Sequence, residues 1–412
     1  MTFAQSQLSN RNRLRILQVV PRYAPAWAFG GGVRITYELA KQWVAQGHEV
    51  TVFTSDEVAA GIAPLLSKEI LDGICIERFP VARHPLARRF PFMFFRPRGL
   101  KHALRLRSND FDVIHLAEGR GPHNRWLLAG SHGMRAPVAW SAYGCLAEGL
   151  GLRRGYRWGH DLAYNTKRLV RSADRLVAQT EHEADVYRSF GAVNAQIALL
   201  PLAVSRQDIM AGMALAPGSF RTKHGIGLDE ELVVFVGRLS YTKGLQLLIP
   251  AFTEVLRARP KARLAIVGWD QGYESEARTM VHKCGLGHAV VFAGPVFGAE
   301  RFAAYRDADV FTLTPGFFEE TSLAALEACA VGTPCVITRQ CEIPGLEAAS
   351  GGLMVDYKKE AIAGALIQVL AGGGRAVWGV RACELIKNRF TTEVVAASHV
   401  DLFTSMLAPT NV

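Results

Sequence analysis

Residues 310–338, VFTLTPGFFEETSLAALEACAVGTPCVIT, have one arrangement that satisfies both propensity and punctuation: strand, loop, helix, turn, strand. A β-rich run ends at Thr314, and Gly316, Phe317 and Phe318 form the loop. Thr321 or Ser322 can cap a helix, and the stretch from Leu323 to Ala330 has high helix propensity. Gly332 is placed to stop that helix, with Pro334 beyond. Glu319 lies just before the helix and Glu327 within it. The N-terminus at Ser322 and Leu323 presents unsatisfied N–H groups and the positive end of a dipole, which suits an anion. A phosphate there, with carboxylates to receive hydroxyl hydrogen bonds, fits a sugar–diphosphate–ribose ligand.

The same β/α grammar runs through the chain. RILQVV (15–20) reads as a buried strand, followed by Gly30-Gly31-Gly32 and a helix with Val33, Tyr37, Ala40, Trp43 and Val44 on one face. Glu49–Thr54 is the next strand, so a glycine loop sits at a strand's carboxyl end, where open parallel sheets bind ligands. Its spacing is not the G-x-G-x-x-G of nicotinamide sites. Further strands are predicted at 111–116, 173–180, 197–200, 232–236, 262–268 and 290–296. A linker is expected over 201–219, where Ala, Gly and Pro accumulate. Arg238 and Lys243, five apart after the strand 232–236, can converge on a pyrophosphate, the first as a bidentate fork and the second as a point charge.

With 412 residues the chain is too long for one ordinary core, and two α/β domains are the expectation. Hydrophobic content of 49% with 20% charged residues indicates a soluble globular protein. No apolar run is long enough to span a bilayer, and the N-terminal stretch lacks the apolar core of a signal peptide. Seven cysteines without a C-x2-C pair read as free thiols in a reducing cytoplasm. The net charge of +10 implies an acidic partner, and its distribution is uneven. Between Glu77 and Asp110 stand nine basic residues and no acid, interleaved with Phe90, Phe92, Phe94 and Phe95. Arg88, Arg89 and Arg96 beside Phe92, Phe94 and Phe95 suit an anionic membrane surface. Nucleic acid is not expected, because no recognised binding module accompanies the charge.

Glu319, seven residues, then Glu327, together with V-G-R-L-x-x-x-K-G at 236–244, resembles the signatures of retaining glycosyltransferases of the GT-B fold, family 4. The resemblance covers nearly the whole chain and is looser in the first half. It implies two doubly wound Rossmann-like domains facing across a cleft. Residues 13–200 would bind the acceptor and 206–385 the nucleotide sugar, while a helix at 391–407 would cross back to the first domain. It further implies transfer of a sugar from a UDP-, GDP- or ADP-linked donor to a glycan or lipid-linked hydroxyl, with retention, no cofactor and no metal. The expected setting is cell-surface polysaccharide biosynthesis in the cytoplasm, peripherally at the inner face of the membrane.

By that resemblance Glu319, Arg238 and Lys243 are catalytic, and Glu327 accepts from ribose. Gly31, Gly32, Gly268, Val296, Ser322 and Leu323 complete the donor site. His115, Glu118 and Tyr143 are placed on the acceptor side. The family's H-x-H and S-x-H-G motifs read His115-Leu116-Ala117 and Ser141-Ala142-Tyr143-Gly144 here, so two family histidines are absent. The sequence also leaves open a GT-B sugar-nucleotide epimerase and a non-catalytic nucleotide-sugar- or nucleic-acid-binding protein.

Overall fold

The computed structural model describes residues 13–58, 65–81, 96–129, 136–147, 152–372 and 374–408. They form two units, one of residues 1–200 with 392–412 and one of residues 201–391.

The first unit is built on an eight-stranded sheet in the order β3-β4-β2-β1-β5-β6-β7-β8. Its strands are β1 (Arg15–Val19), β2 (Glu49–Ser55), β3 (Lys68–Leu71), β4 (Ile74–Phe79), β5 (Val113–Ala117), β6 (Val138–Ser141), β7 (Arg175–Ala178) and β8 (Ile197–Leu199). All neighbours are parallel except β3 and β4. Parallel strands covered on both faces are buried along their length and read as near-continuous apolar runs, as β5 does apart from His115. The glycine loop opens helix α1 (Gly31–Ala45), which buries Val33, Ile35, Leu39, Ala40 and Trp43.

The last helix, Thr392–Leu407, belongs to this first unit and packs against α1. The Trp43 indole donates to Ala396 O (3.3 Å), and His115, His399 and Phe403 surround its ring. Burial pushes both imidazoles down, His399 to about 4 and His115 well below its ordinary range. The unfolded chain binds their protons near pH 6.5 and the folded chain does not, so stability is full above that pH and falls as acid approaches 4. Unfolding free energies measured at both pH values should show His399→Leu losing less stability between pH 7 and 4.5 than the wild type, by about 1–3 kcal/mol.

The second unit carries a six-stranded parallel sheet in the order β11-β10-β9-β12-β13-β14. Its strands are β9 (Glu231–Val236), β10 (Ala262–Val267), β11 (Val290–Gly294), β12 (Val310–Leu313), β13 (Cys335–Thr338) and β14 (Gly352–Val355). The stretch expected as a linker instead contains helix α2 (Arg206–Met213), capped by the Ser205 hydroxyl on Asp208 N. Three further helices position the site: α3 (Leu245–Ala258), α4 (Glu300–Asp307) and α5 (Leu323–Ala330). The sheet leaves β9 toward β10 and β11 on one side and toward β12 and β13 on the other. That reversal opens a crevice at the carboxyl ends of β9 and β12.

Candidate functional site

Lys243 ends a short 3-10 turn after β9, and Gly244 opens α3 in the left-handed region at φ +82°. A side chain at Gly244 would place its Cβ 1.5 Å from Thr314 O, while the Thr314 hydroxyl donates to Gly244 O at 3.1 Å. The glycine therefore fastens the turn after β9 to the end of β12. Lys243 is buried there, and its ammonium donates to Glu319 Oε1. Burial, reinforced by the nearby positive charge of Arg238, pulls Lys243 down to about 8. Gly244→Ala should lose about 2–4 kcal/mol of stability, from overpacking against backbone plus a left-handed alanine. Chemical denaturation measures this, with transfer activity falling alongside as Lys243 is displaced.

The loop from β12 to α5 carries Glu320 at φ +57°, a conformation that a non-glycine residue holds at a cost and that concentrates at functional sites. Ser322 is the N-cap residue of α5, yet its side chain makes no capping bond. It lies instead on the Cys341 thiol, whose surroundings also include Lys243. Arg238, Lys243, Glu319 and the α5 N-terminus at Ser322 and Leu323 thus gather at the β9/β12 crevice. Two cations and an open helix start can hold a diphosphate.

Glu327 is also buried, on the body of α5. Arg301 Nε donates to both of its carboxylate oxygens at 3.0 Å, and the Tyr305 hydroxyl donates to Oε2 at 3.1 Å. Arg301 continues to Asp208 Oδ2 on α2 at 2.8 Å. These bonds leave lone pairs on Glu327 for a further donor such as a ribose hydroxyl. Arg301, Tyr305 and Asp208 were not singled out from the sequence. The four-residue spacing of Arg301 and Tyr305 on one helix face was the available signal.

Gly268 follows β10, and a Cβ there would meet Gly237 O at 1.8 Å, so close backbone approach accounts for it. Val296 lies half-buried in the loop after β11. Tyr241, Trp269, Phe297, Phe317 and Phe318 are exposed in the loops after these strand ends, and Tyr241 lies 6.4 Å from Phe317. Such rings offer stacking area for a base or sugar. Both Asp-x-Asp triplets are occupied within the protein: Asp110 and Asp112 pair with Arg107 and Arg15, Asp309 with Arg221, and Asp307 accepts from Gly218 N and Phe220 N. A cavity of 840 Å³ opens at the other end of α5, beside Met213, Val331 and Val380, away from these residues.

In the first unit Gly31 and Gly32 form the first turn of α1, and Glu118 and Tyr143 follow β5 and β6. His115 is corrected: its ring is fully buried inside β5, with Nδ1 on Gln18 Nε2 (3.3 Å) and Nε2 on the Ser141 hydroxyl (2.9 Å). It is a core residue, packed between Trp43 and His399. Arg88, Arg89, Phe92, Phe94 and Phe95 lie outside the described residues, while Arg96 is exposed. Two members of the basic stretch are committed within the fold: Arg78 is buried on Ala24 O and Glu69, and Arg107 pairs with Glu77. No helix among the described residues is long and apolar enough to cross a membrane.

Residues 29–208 match the family described as Glycosyltransferase Family 4, and residues 218–379 match Glycosyl transferases group 1. The chain is 30% identical over 355 residues to the D-inositol 3-phosphate glycosyltransferase of Kineococcus radiotolerans, covering 80% of this chain and 78% of that protein. The chain belongs to the family 4 glycosyltransferases. Against the enzyme of the same name from Corynebacterium jeikeium it is 31% identical over 198 residues, about half the length of each (46% and 47%). The fold of this family 4 member is shared with Anabaena Alr3699/HepE in complex with UDP-glucose. The TM-score is 0.68 at 17% identity, over 95% of this chain and 100% of that one. Both units are accordingly the Rossmann-like domains of a GT-B glycosyltransferase. Tyr143, just after β6, holds φ +51°.

Proposed function

We propose that the protein transfers a sugar from a nucleoside-diphosphate donor to a hydroxyl of a glycan or lipid-linked acceptor, with retention at the anomeric carbon and without a metal. The observation that carries this reading is the convergence of Arg238, Lys243, Glu319 and the α5 N-terminus at the β9/β12 crevice. Negative charge grows on the departing diphosphate as the glycosidic bond breaks, and fixed positive groups aimed at it lower the barrier. Lys243 and Arg238 supply that charge, which is the task a divalent cation would otherwise perform. Glu319, steadied by Lys243 and by its N–H on Gln340 O (2.8 Å), is positioned to accept from donor-sugar hydroxyls. Glu327 serves the ribose from its seat on Arg301 and Tyr305.

The setting we propose is cell-surface polysaccharide assembly, with the protein peripheral on an anionic membrane face. The exposed Arg96, Lys101, Arg105 and Leu106 support it, as the described end of the basic-aromatic stretch. Flotation with anionic liposomes at low salt checks this part, and an unbound protein removes it.

The reaction is tested by incubating the protein with UDP-, GDP- and ADP-sugars in EDTA and reading the product anomer by NMR. Retention of configuration with undiminished rate is expected. An inverted product, or loss of turnover in EDTA, contradicts the reading. Epimerisation of the donor in the absence of acceptor favours a GT-B epimerase.

A further inference from the structure

We propose that the crevice between β1 and β5 of the first unit holds an uncharged polyol, with the Glu118 carboxylate accepting hydrogen bonds from its hydroxyls. This inference rests on the transferase reading and gives the chemistry of the acceptor.

The sheet of this unit reverses between β1 and β5, so it opens a crevice there just as the second unit does between β9 and β12. Around it three non-glycine residues are left-handed: Glu118 (φ +63°), Arg120 (φ +58°) and Tyr143 (φ +51°). Each costs on the order of 1–2 kcal/mol, and such residues persist where the surroundings over-determine them. At Glu118 the surroundings do so. Its N–H donates to Ser141 O (2.9 Å), and its carbonyl accepts from Trp140 Nε1 (2.7 Å) and Asn124 Nδ2 (3.0 Å). The backbone is pinned so that the side chain lies over α1, where a Cβ on Gly32 would sit 2.8 Å from Oε1. An alanine at that turn would displace the carboxylate.

The charges around this carboxylate separate a neutral ligand from an anionic one. Arg120 is spent on the fold. Nε and Nη2 grip Asp161, and the remaining donors reach Cys145 O, Leu146 O and Ala147 O, which uses all five N–H groups. Arg22, the cation that acts on Glu118, bonds Glu57 at 2.9 Å and stacks on Phe29. The other titratable neighbours are neutral: burial pushes His123 to about 4, and raises both Tyr143 and Cys145. Glu183 adds a second carboxylate, accepting from Gly144 N and Gln179 N. Arg22 and Arg120 are thus each matched by an acid, and Glu118 and Glu183 add two carboxylates beyond those pairs. Hydroxyl groups donate to such a site, whereas a phosphate on the same ring would be repelled. In a lipid-linked acceptor the phosphate then belongs away from the ring that is glycosylated.

The experiment offers the full-length protein its nucleotide sugar with glucose, myo-inositol and octyl glucoside, and in parallel with glucose 6-phosphate and inositol 3-phosphate. Transfer to neutral members is expected, with Glu118→Gln raising their KM at least tenfold while its thermal midpoint shows a folded chain. Transfer confined to the phosphorylated members, no transfer to any neutral member, or a KM within twofold of wild type in Glu118→Gln overturns the inference. If no nucleotide sugar is bound or consumed, the transferase reading fails and takes this inference with it.

Discussion

Lys243→Met should lower kcat/KM for transfer by about 10²–10³-fold, equivalent to about 2.7–4 kcal/mol, the cost of removing one preorganised group from a site of developing charge. Methionine nearly conserves the volume of a buried lysine, so the fold should survive and the loss should lie in the chemistry. The ammonium is buried, bonded to Glu319 and near Arg238. Its removal takes charge from the diphosphate and leaves Glu319 without the donor that orients it. The pH profile carries an independent mark. With Lys243 at about 8, the cation is fully present below that pH and is lost above it. Wild-type kcat/KM, which reports groups of the free enzyme, should therefore be level toward neutrality and fall tenfold per unit above about pH 8. Lys243→Met should lack that limb, whereas Lys243→Arg, charged throughout, should lack it at reduced activity because a planar fork does not reproduce a point charge.

Glu327→Ala is expected to cost about 3–5 kcal/mol of stability, beyond any loss of donor affinity, because it breaks a buried ion pair from one side. Arg301 would retain only Asp208 among its acidic partners, and the buried Tyr305 hydroxyl would lose its acceptor. Glu327→Gln keeps an acceptor oxygen and should recover part of the stability while weakening nucleotide binding through the changed charge. Denaturant titration of both variants, set beside their nucleotide affinities, separates the structural task of this carboxylate from the ribose contact proposed for it. A fall in affinity with unchanged stability in Glu327→Ala would show that Arg301 and Tyr305 do not depend on it.

Much of this site is legible in the sequence because strand ends and turns announce themselves locally. Val-Gly-Arg after an apolar run, Lys-Gly before a helix, and a helix that starts after Ser322 and stops at Gly332 each have one backbone solution, and tertiary structure only brings those solutions together. What escaped notice is set by partners distant in sequence. Arg301 reads as a solvated cation on a short helix until α5 brings Glu327 against it. His115 is placed on the acceptor side by its motif, yet Gln18 on the next strand and Ser141 on another satisfy both ring nitrogens. The stretch 201–219 looked like a linker by its Ala, Gly and Pro content, but Ser205 followed by Asp208 is a helix start, and Asp208 serves Arg301. The hairpin of β3 and β4 was missed although Asp72-Gly73, both left-handed, is a strong two-residue turn signal. Charge counted along the chain also misled: Arg78 and Arg107 belong to the basic stretch in sequence but to buried or half-buried ion pairs in the fold.

In the proposed function Lys243, with Arg238 and the start of α5, grips a nucleoside diphosphate. Titration calorimetry of UDP, GDP and ADP in EDTA, with wild type and Lys243→Met side by side, tests it most directly. At least one nucleotide should bind the wild type, and Lys243→Met should weaken that binding tenfold or more. Equal affinity in the two proteins, or no binding of any of the three, would contradict it.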